Sequence, residues 1–123
     1  MVTVPGFLLR RLYVKQSLAN TADGFQFQLM NRLGSGYTHK VWPLKVDGEE
    51  IPAEYTVFEL EGETTPFSHV TMEQTFTLSV NRTITVSVTG VWLDPGPKKI
   101  RMGFDVPGLG TLSFDFTDLV SDE

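Results

Sequence analysis

Apolar residues recur at every second position along several stretches of the chain. Phe25, Phe27 and Leu29 alternate with Gln26 and Gln28; Ile84, Val86 and Val88 alternate with Thr83, Thr85, Ser87 and Thr89. Ile100, Met102, Phe104 and Val106 are spaced by Arg101, Gly103 and Asp105, and Leu112, Phe114 and Phe116 by Ser113 and Asp115. Successive side chains of a strand face opposite sides, so each run predicts a strand with one core face and one wet face. The wet faces are rich in Thr and Ser, which suit a half-exposed sheet.

Turn chemistry falls between these runs. Asn20-Thr21-Ala22-Asp23-Gly24 separates residues 7–19 from 25–33, and Asp47-Gly48 is a two-residue hairpin signal between 41–46 and 49–52. Glu61-Gly62-Glu63 follows a strand at 55–60, and Asn81-Arg82 joins 75–80 to 83–92. Asp94-Pro95-Gly96-Pro97 and Pro107-Gly108-Leu109-Gly110 bound the strand at 98–106, with the last strand at 111–117. No amphipathic helix emerges beyond one helical turn at 68–74, and 33–41 and 62–74 predict the longest loops. Eight or nine short strands so spaced predict an all-β fold: an antiparallel β-sandwich, Ig/fibronectin-like or jelly-roll-like. The last four residues, Val120 to Glu123, are expected to fray.

Length and charge narrow this further. The 123 residues predict one sandwich domain over 1–123, able to bury roughly two-thirds of its unfolded surface. Net charge is −5, which argues against nucleic acid as a partner. The charge is polarised: residues 1–46 carry six Lys/Arg (Arg10, Arg11, Lys15, Arg32, Lys40, Lys45) against Asp23 alone. The remaining 77 residues carry four basic and fourteen acidic side chains. Such polarity suits the steering of a charged protein partner, or simply a solubility surface. There is no cysteine, no apolar run of membrane-spanning length, and no leader-like pattern at Met1 to Gly6. The expected setting is cytoplasmic, away from membranes.

Candidate chemistry is sparse. His39 and His69 are thirty residues apart in no metal-like spacing, and both are expected on loops. Gly34-Ser35-Gly36 lacks the strand-turn-helix setting of a nucleophile elbow. Glu59, Glu61 and Glu63 fall on one period-two face and read as a solvated sheet edge rather than a catalytic pair; Asp115 and Asp118 read likewise. Gly108-Leu109-Gly110 is a hairpin turn, not a phosphate loop, and Asn81-Arg82-Thr83 is a turn rather than a glycosylation site. No catalytic, cofactor-binding or metal-ligating residue is expected in this chain. Among the aromatics, Trp42, Tyr37 and Tyr55 do not fall on a clean alternation, whereas Trp92 closes the 83–92 pattern and reads as core.

The chain also resembles a known family. The run Phe7-Leu8-Leu9-Arg10-Arg11 leads to Gly24-Phe25-Gln26-Phe27-Gln28-Leu29. The hairpin Leu44-Lys45-Val46-Asp47-Gly48-Glu49-Glu50-Ile51-Pro52 follows, then Leu93-Asp94-Pro95-Gly96-Pro97-Lys98-Lys99-Ile100. In that order and spacing they resemble the small β subunit of bacterial C-glycoside deglycosidases. The resemblance implies a non-catalytic β-sandwich subunit of a carbon–carbon lyase. It would pack on a TIM-barrel α subunit that holds a divalent metal and cleaves 3-oxo-C-glycosides with an aromatic aglycone, in carbohydrate metabolism. The implied contact surface is the loop 34–43 with the basic N-terminal hairpin, and the residues expected at the partner interface are Arg32, Tyr37, His39 and Trp42. Two other readings compete: a free-standing carbohydrate-binding module using Trp42 and Tyr37 as a stacking platform, and an Ig-like adhesion domain, which usually brings a Cys pair.

Overall fold

The chain begins helically, where the sequence predicts a basic hairpin. In the computed structural model, which describes residues 4–34 and 36–121, α1 (Gly6–Leu9) runs straight into a 3₁₀ turn, Arg10–Leu12. Pro5 fixes the extended backbone before it, at φ −63° and ψ 149°. Leu9 and Leu12, three residues apart, are buried, whereas Arg10 and Arg11 are exposed. Met1 to Thr3, Ser35 of the Gly34-Ser35-Gly36 stretch, and Asp122 and Glu123 lie outside the described residues.

The protein is an antiparallel all-β sandwich. Its described strands are β1 (Ala19–Asn20), β2 (Gly24–Met30), β3 (Gly36–Thr38), β4 (Lys40–Val41), β5 (Lys45–Val46) and β6 (Glu49–Glu50). These are followed by β7 (Thr56–Leu60), β8 (Glu63–Pro66), β9 (Phe76–Leu78), β10 (Thr83–Thr89), β11 (Pro97–Val106) and β12 (Gly110–Leu119). One sheet has the order β1-β2-β10-β7-β8; the other runs β12-β11-β5-β6, with β4 also pairing with β11. β3 and β9 form a separate two-stranded ribbon. There are more strand segments than the alternation predicts, because β4, β5 and β6 are two-residue pairings inside stretches read as loop or as one longer strand.

The alternating runs place their apolar residues where expected. Phe25, Phe27 and Leu29 of β2 and Ile84, Val86 and Val88 of β10 are buried, facing Ile100, Met102, Leu112, Phe114 and Phe116 of the second sheet in one core. Phe27 meets Phe116 edge-on at 5.2 Å between ring centroids, and Tyr13 stacks on Phe116 at 3.6 Å. Thr56 sits among them on β7, and its buried hydroxyl has no hydrogen-bond partner among the described residues. The Asp47-Gly48 turn joins β5 to β6 with φ of 49° and 89°, the double left-handed geometry that a two-residue hairpin demands.

Three sequence readings change. Trp92 is not core: β10 ends at Thr89, Gly90 turns the chain at φ 86°, and the phase of the alternation is lost. Trp92 is 57% exposed, its Nε1 donating to the Thr21 carbonyl at 3.1 Å. Glu59, Glu61 and Glu63 share no face, because Glu61-Gly62 is itself a turn and Glu63 pairs back onto Leu60. Glu61 instead forms an ion pair with Arg82. The expected fraying also fails at Val120 and Ser121. The Ser121 N–H donates to Leu18 O at 2.9 Å and the Asn20 N–H to Ser121 O at 3.1 Å, so the two sheets are laced together along this edge.

Tyr13 secures the helical start to the same edge. Its hydroxyl donates to Asp118 Oδ2 at 2.7 Å and accepts the buried Leu18 N–H at 3.2 Å. Burial, reinforced by the Asp118 hydrogen bond, pushes the phenol up to about 12. The unfolded phenol loses its proton near pH ~10. The associated stability is therefore complete below about pH 10 and falls away as pH rises toward about 12. Asp118 shows the opposite balance. Burial opposes its charge, but hydrogen bonds from Tyr13 and from the N–H groups of Gln16 and Leu119 outweigh it and hold the carboxyl below its usual range. Urea unfolding of Tyr13→Phe should show a loss of about 2 kcal/mol at neutral pH, from the stranded Leu18 N–H and the lost charge-assisted bond. The variant should also lack the wild type's steep decline between pH 10 and 12.

Candidate functional site

The inner faces of the two sheets do not close at the end nearest the β3–β9 ribbon. A cavity of about 260 Å³ remains there. Its walls come from the helical start (Leu9, Leu12), the first sheet (Leu29, Phe58, Ile84), and Met102 and Leu112 of the second sheet. The ribbon contributes Phe76 and Leu78, and the side bounded by Leu33, Gly34, Gly36 and Tyr37 is exposed to solvent. That mouth lies in the stretch predicted as loop, whose short ribbon strand carries no alternation long enough to read.

The polar side chains Asn31 and Thr38 also line the cavity, and both are committed to the fold. Asn31 Nδ2 donates to Gly34 O at 2.7 Å and to Leu78 O at 2.9 Å. Its Oδ1 accepts from the N–H groups of Leu33 and Gly34 at 3.1 and 3.2 Å, so every donor and acceptor position of this buried amide is filled. Thr38 donates its hydroxyl to Asp105 O at 2.6 Å, with Lys40 O at 2.8 Å. What these two groups show to the cavity is therefore mostly hydrocarbon.

Tyr37, His39 and Trp42 come together on the segment that runs from β3 through β4. Tyr37 is 49% exposed at the cavity mouth and His39 lies at the bend between the two strands. Trp42 is 40% exposed yet firmly held. Its N–H donates to Gly103 O at 2.9 Å and its Nε1 to Asp105 Oδ1, also at 2.9 Å. Asp105 is held below the usual carboxylate range by the Thr111 hydroxyl first, at 2.6 Å, then by the Trp42 indole; the charges of Lys40 and His39 add to this, against a burial penalty. Lys40 Nζ lies 4.0 Å from the centroid of the Trp42 ring. That placement corrects the sugar-platform reading, since the ammonium covers an indole face on which a sugar ring would stack.

Arg32, the fourth residue expected at the interface, does not join this group. It lines a basic groove with Phe7, Arg10, Arg11 and Lys15, beside Asp118. Arg10 is tied down there: its Nε donates to Asp115 O at 2.6 Å and its guanidinium pairs with the Asp115 carboxylate at 3.5 Å. Arg11, Lys15 and Arg32 make no ion pair among the described residues. The groove follows from the helical start, which turns Leu9 and Leu12 inward and Arg10 and Arg11 outward. A proline followed by apolar residues at threefold spacing was the available signal. Neither His39 nor His69 is part of a cluster of three or more potential metal ligands among the described residues. No helix of the described residues is long and apolar enough to cross a membrane.

Residues 8–121 match the family model of the hydroxymethylglutaryl-CoA reductase N-terminal domain, and the chain belongs to that family. No curated protein matches it. The match, spanning nearly the whole chain, overturns the C-glycoside deglycosidase reading and the lyase activity in carbohydrate metabolism that came with it. The physical reason lies in what carried the resemblance. Val46-Asp47-Gly48-Glu49 is what a tight two-residue turn between short strands requires in any fold, so it identifies a hairpin and not a family. The TIM-barrel partner and its metal rested on that resemblance alone.

Proposed function

We propose that this chain serves hydroxymethylglutaryl-CoA reductase as a binding domain, docking on the reductase's catalytic region and contributing surface rather than chemistry. The observation that carries this reading is the family match over residues 8–121. The geometry supplies a means of docking. Trp42 is a large aromatic group already fixed in its exposed position by Asp105 and the Gly103 carbonyl, so little side-chain entropy remains to be lost on contact. Tyr37 and His39 extend the same edge, and Arg32 in the basic groove offers a second, electrostatic contact for an acidic surface. The absence of cysteine supports a cytoplasmic location.

The test mixes the purified chain with the catalytic reductase polypeptide encoded in the same genome. We expect a complex by light scattering on a sizing column and a change in the reductase's melting temperature or its turnover of hydroxymethylglutaryl-CoA. Trp42→Ala should weaken the complex by about 2 kcal/mol, close to thirtyfold in Kd. If the two polypeptides elute separately at tens of micromolar and the reductase is unaltered, the reading is wrong.

A further inference from the structure

We infer that the cavity beneath the β3–β9 ribbon is a binding site for a medium-chain acyl anion, its hydrocarbon tail between the sheets and its charged head at the basic groove. The inference rests on the cavity itself and not on the reductase reading. Its volume sets the scale. A dry apolar cavity of ~150 Å³ accommodates the six carbons of benzene. In the same proportion, about 260 Å³ accommodates roughly ten carbons.

The lining sets the chemistry of the tail. Asn31 has filled all four of its hydrogen-bonding positions and Thr38 bonds to backbone carbonyls, so an occupant with polar groups along its length would lose solvation without compensation. An alkyl chain loses nothing there. It would bury its surface against Leu9, Leu29, Ile84 and Leu112, and each added methylene group should tighten binding.

The route out sets the chemistry of the head. Asn31 and Leu33 line the cavity while Arg32, between them, lines the basic groove, so the two concavities lie on either side of this stretch of chain. Leu9 and Leu12 against Arg10 and Arg11 repeat the same division across the helical start. A ligand whose tail ends at Leu33 meets an arginine without an ion-pair partner among the described residues. A carboxylate satisfies that arginine, as does the phosphate of an acyl thioester of coenzyme A.

Isothermal titration of the intact chain with decanoate, decanoyl-CoA and decanol tests this. We expect saturable one-to-one binding of decanoate or decanoyl-CoA; which of the two binds more tightly distinguishes a free acid from a thioester. Arg32→Glu, on an exposed residue, should weaken the anion roughly tenfold, the scale of exchanging an exposed attraction for a repulsion, and leave decanol unchanged. Val106→Phe and Leu78→Phe, at half-buried positions of the lining, should each abolish binding of all three compounds. Near-UV circular dichroism reports whether these variants keep the fold, and either one suffices. Absence of saturable binding by the wild type overturns the proposal, as does undiminished affinity in a folded cavity-filling variant. Equal anion affinity in Arg32→Glu and wild type overturns the placement of the head.

Discussion

Gly24→Ala is expected to be the most damaging single-methyl change in the molecule, costing about 3 kcal/mol and lowering the melting temperature by roughly 10 °C or more. Gly24 opens β2, opposite Thr89 of β10, in the seven-residue pairing at the centre of the first sheet. A Cβ built there lies 1.9 Å from the Val88 carbonyl oxygen and 2.9 Å from its carbon. Both are backbone atoms of a central strand, so no side chain can swing aside to make room. The two strands would have to part, which opens the layer formed by Phe25, Phe27, Val86 and Val88. Gly36→Ala is the control: a Cβ at Gly36 meets nothing within 4 Å among the described residues, and that variant should melt within a degree or two of wild type. Differential scanning calorimetry of both settles the matter; a Gly24→Ala protein as stable as wild type would show that the β2–β10 approach is looser than described.

Asn31→Ala is expected to cost about 3 kcal/mol and, unlike Gly24→Ala, to act on one end of the sandwich. The amide of Asn31 joins the turn at Leu33 and Gly34 to the Leu78 carbonyl on β9. Truncation removes four hydrogen bonds at a buried position and releases the ribbon from the end of β2. Asn31→Asp should be no better, because it keeps the acceptor for Leu33 and Gly34 but sets a carboxylate against two carbonyl oxygens. The signature that separates this from general destabilisation is local. Hydrogen exchange should accelerate in 31–38 and 76–81 ahead of β10 and β11, and an apolar dye should bind more strongly at neutral pH. Uniform acceleration throughout the protein would mean that the amide has no special hold on the ribbon.

These two residues also show what the sequence could and could not disclose. The central strands were legible because one side of each faces the core and the other faces water, so burial writes a period of two directly into 25–29, 84–88, 100–102 and 112–116. The Asp47-Gly48 hairpin was legible because left-handed backbone is expensive for most residue types. The ribbon was not: β3 and β9 are three residues each, and their end is tied to β2 by an asparagine that in sequence looks like any loop residue. Trp92 misled because Gly90, two residues before it, shifts the phase of the alternation. The helical start was obscured because Leu9 and Leu12 provide one inward turn, too little for a helical period to register against a chain of strands. For the site, Tyr37 and Trp42 were recognisable as aromatics out of phase with any strand. That Arg32 belongs to a different surface, and that a cavity lies beneath Tyr37, depends on residues brought together from distant parts of the chain.

The proposed docking on the reductase would run through the edge that carries Trp42. The most direct measurement is an amide-resolved NMR titration of the labelled chain with the catalytic region of hydroxymethylglutaryl-CoA reductase. Shifts and broadening are expected on 36–42, Gly103 to Asp105 and Thr111, together with the Trp42 indole N–H. Perturbations confined to the opposite edge, where Ala19 and Asn20 meet Ser121, or a spectrum that does not change at saturating reductase, would contradict it.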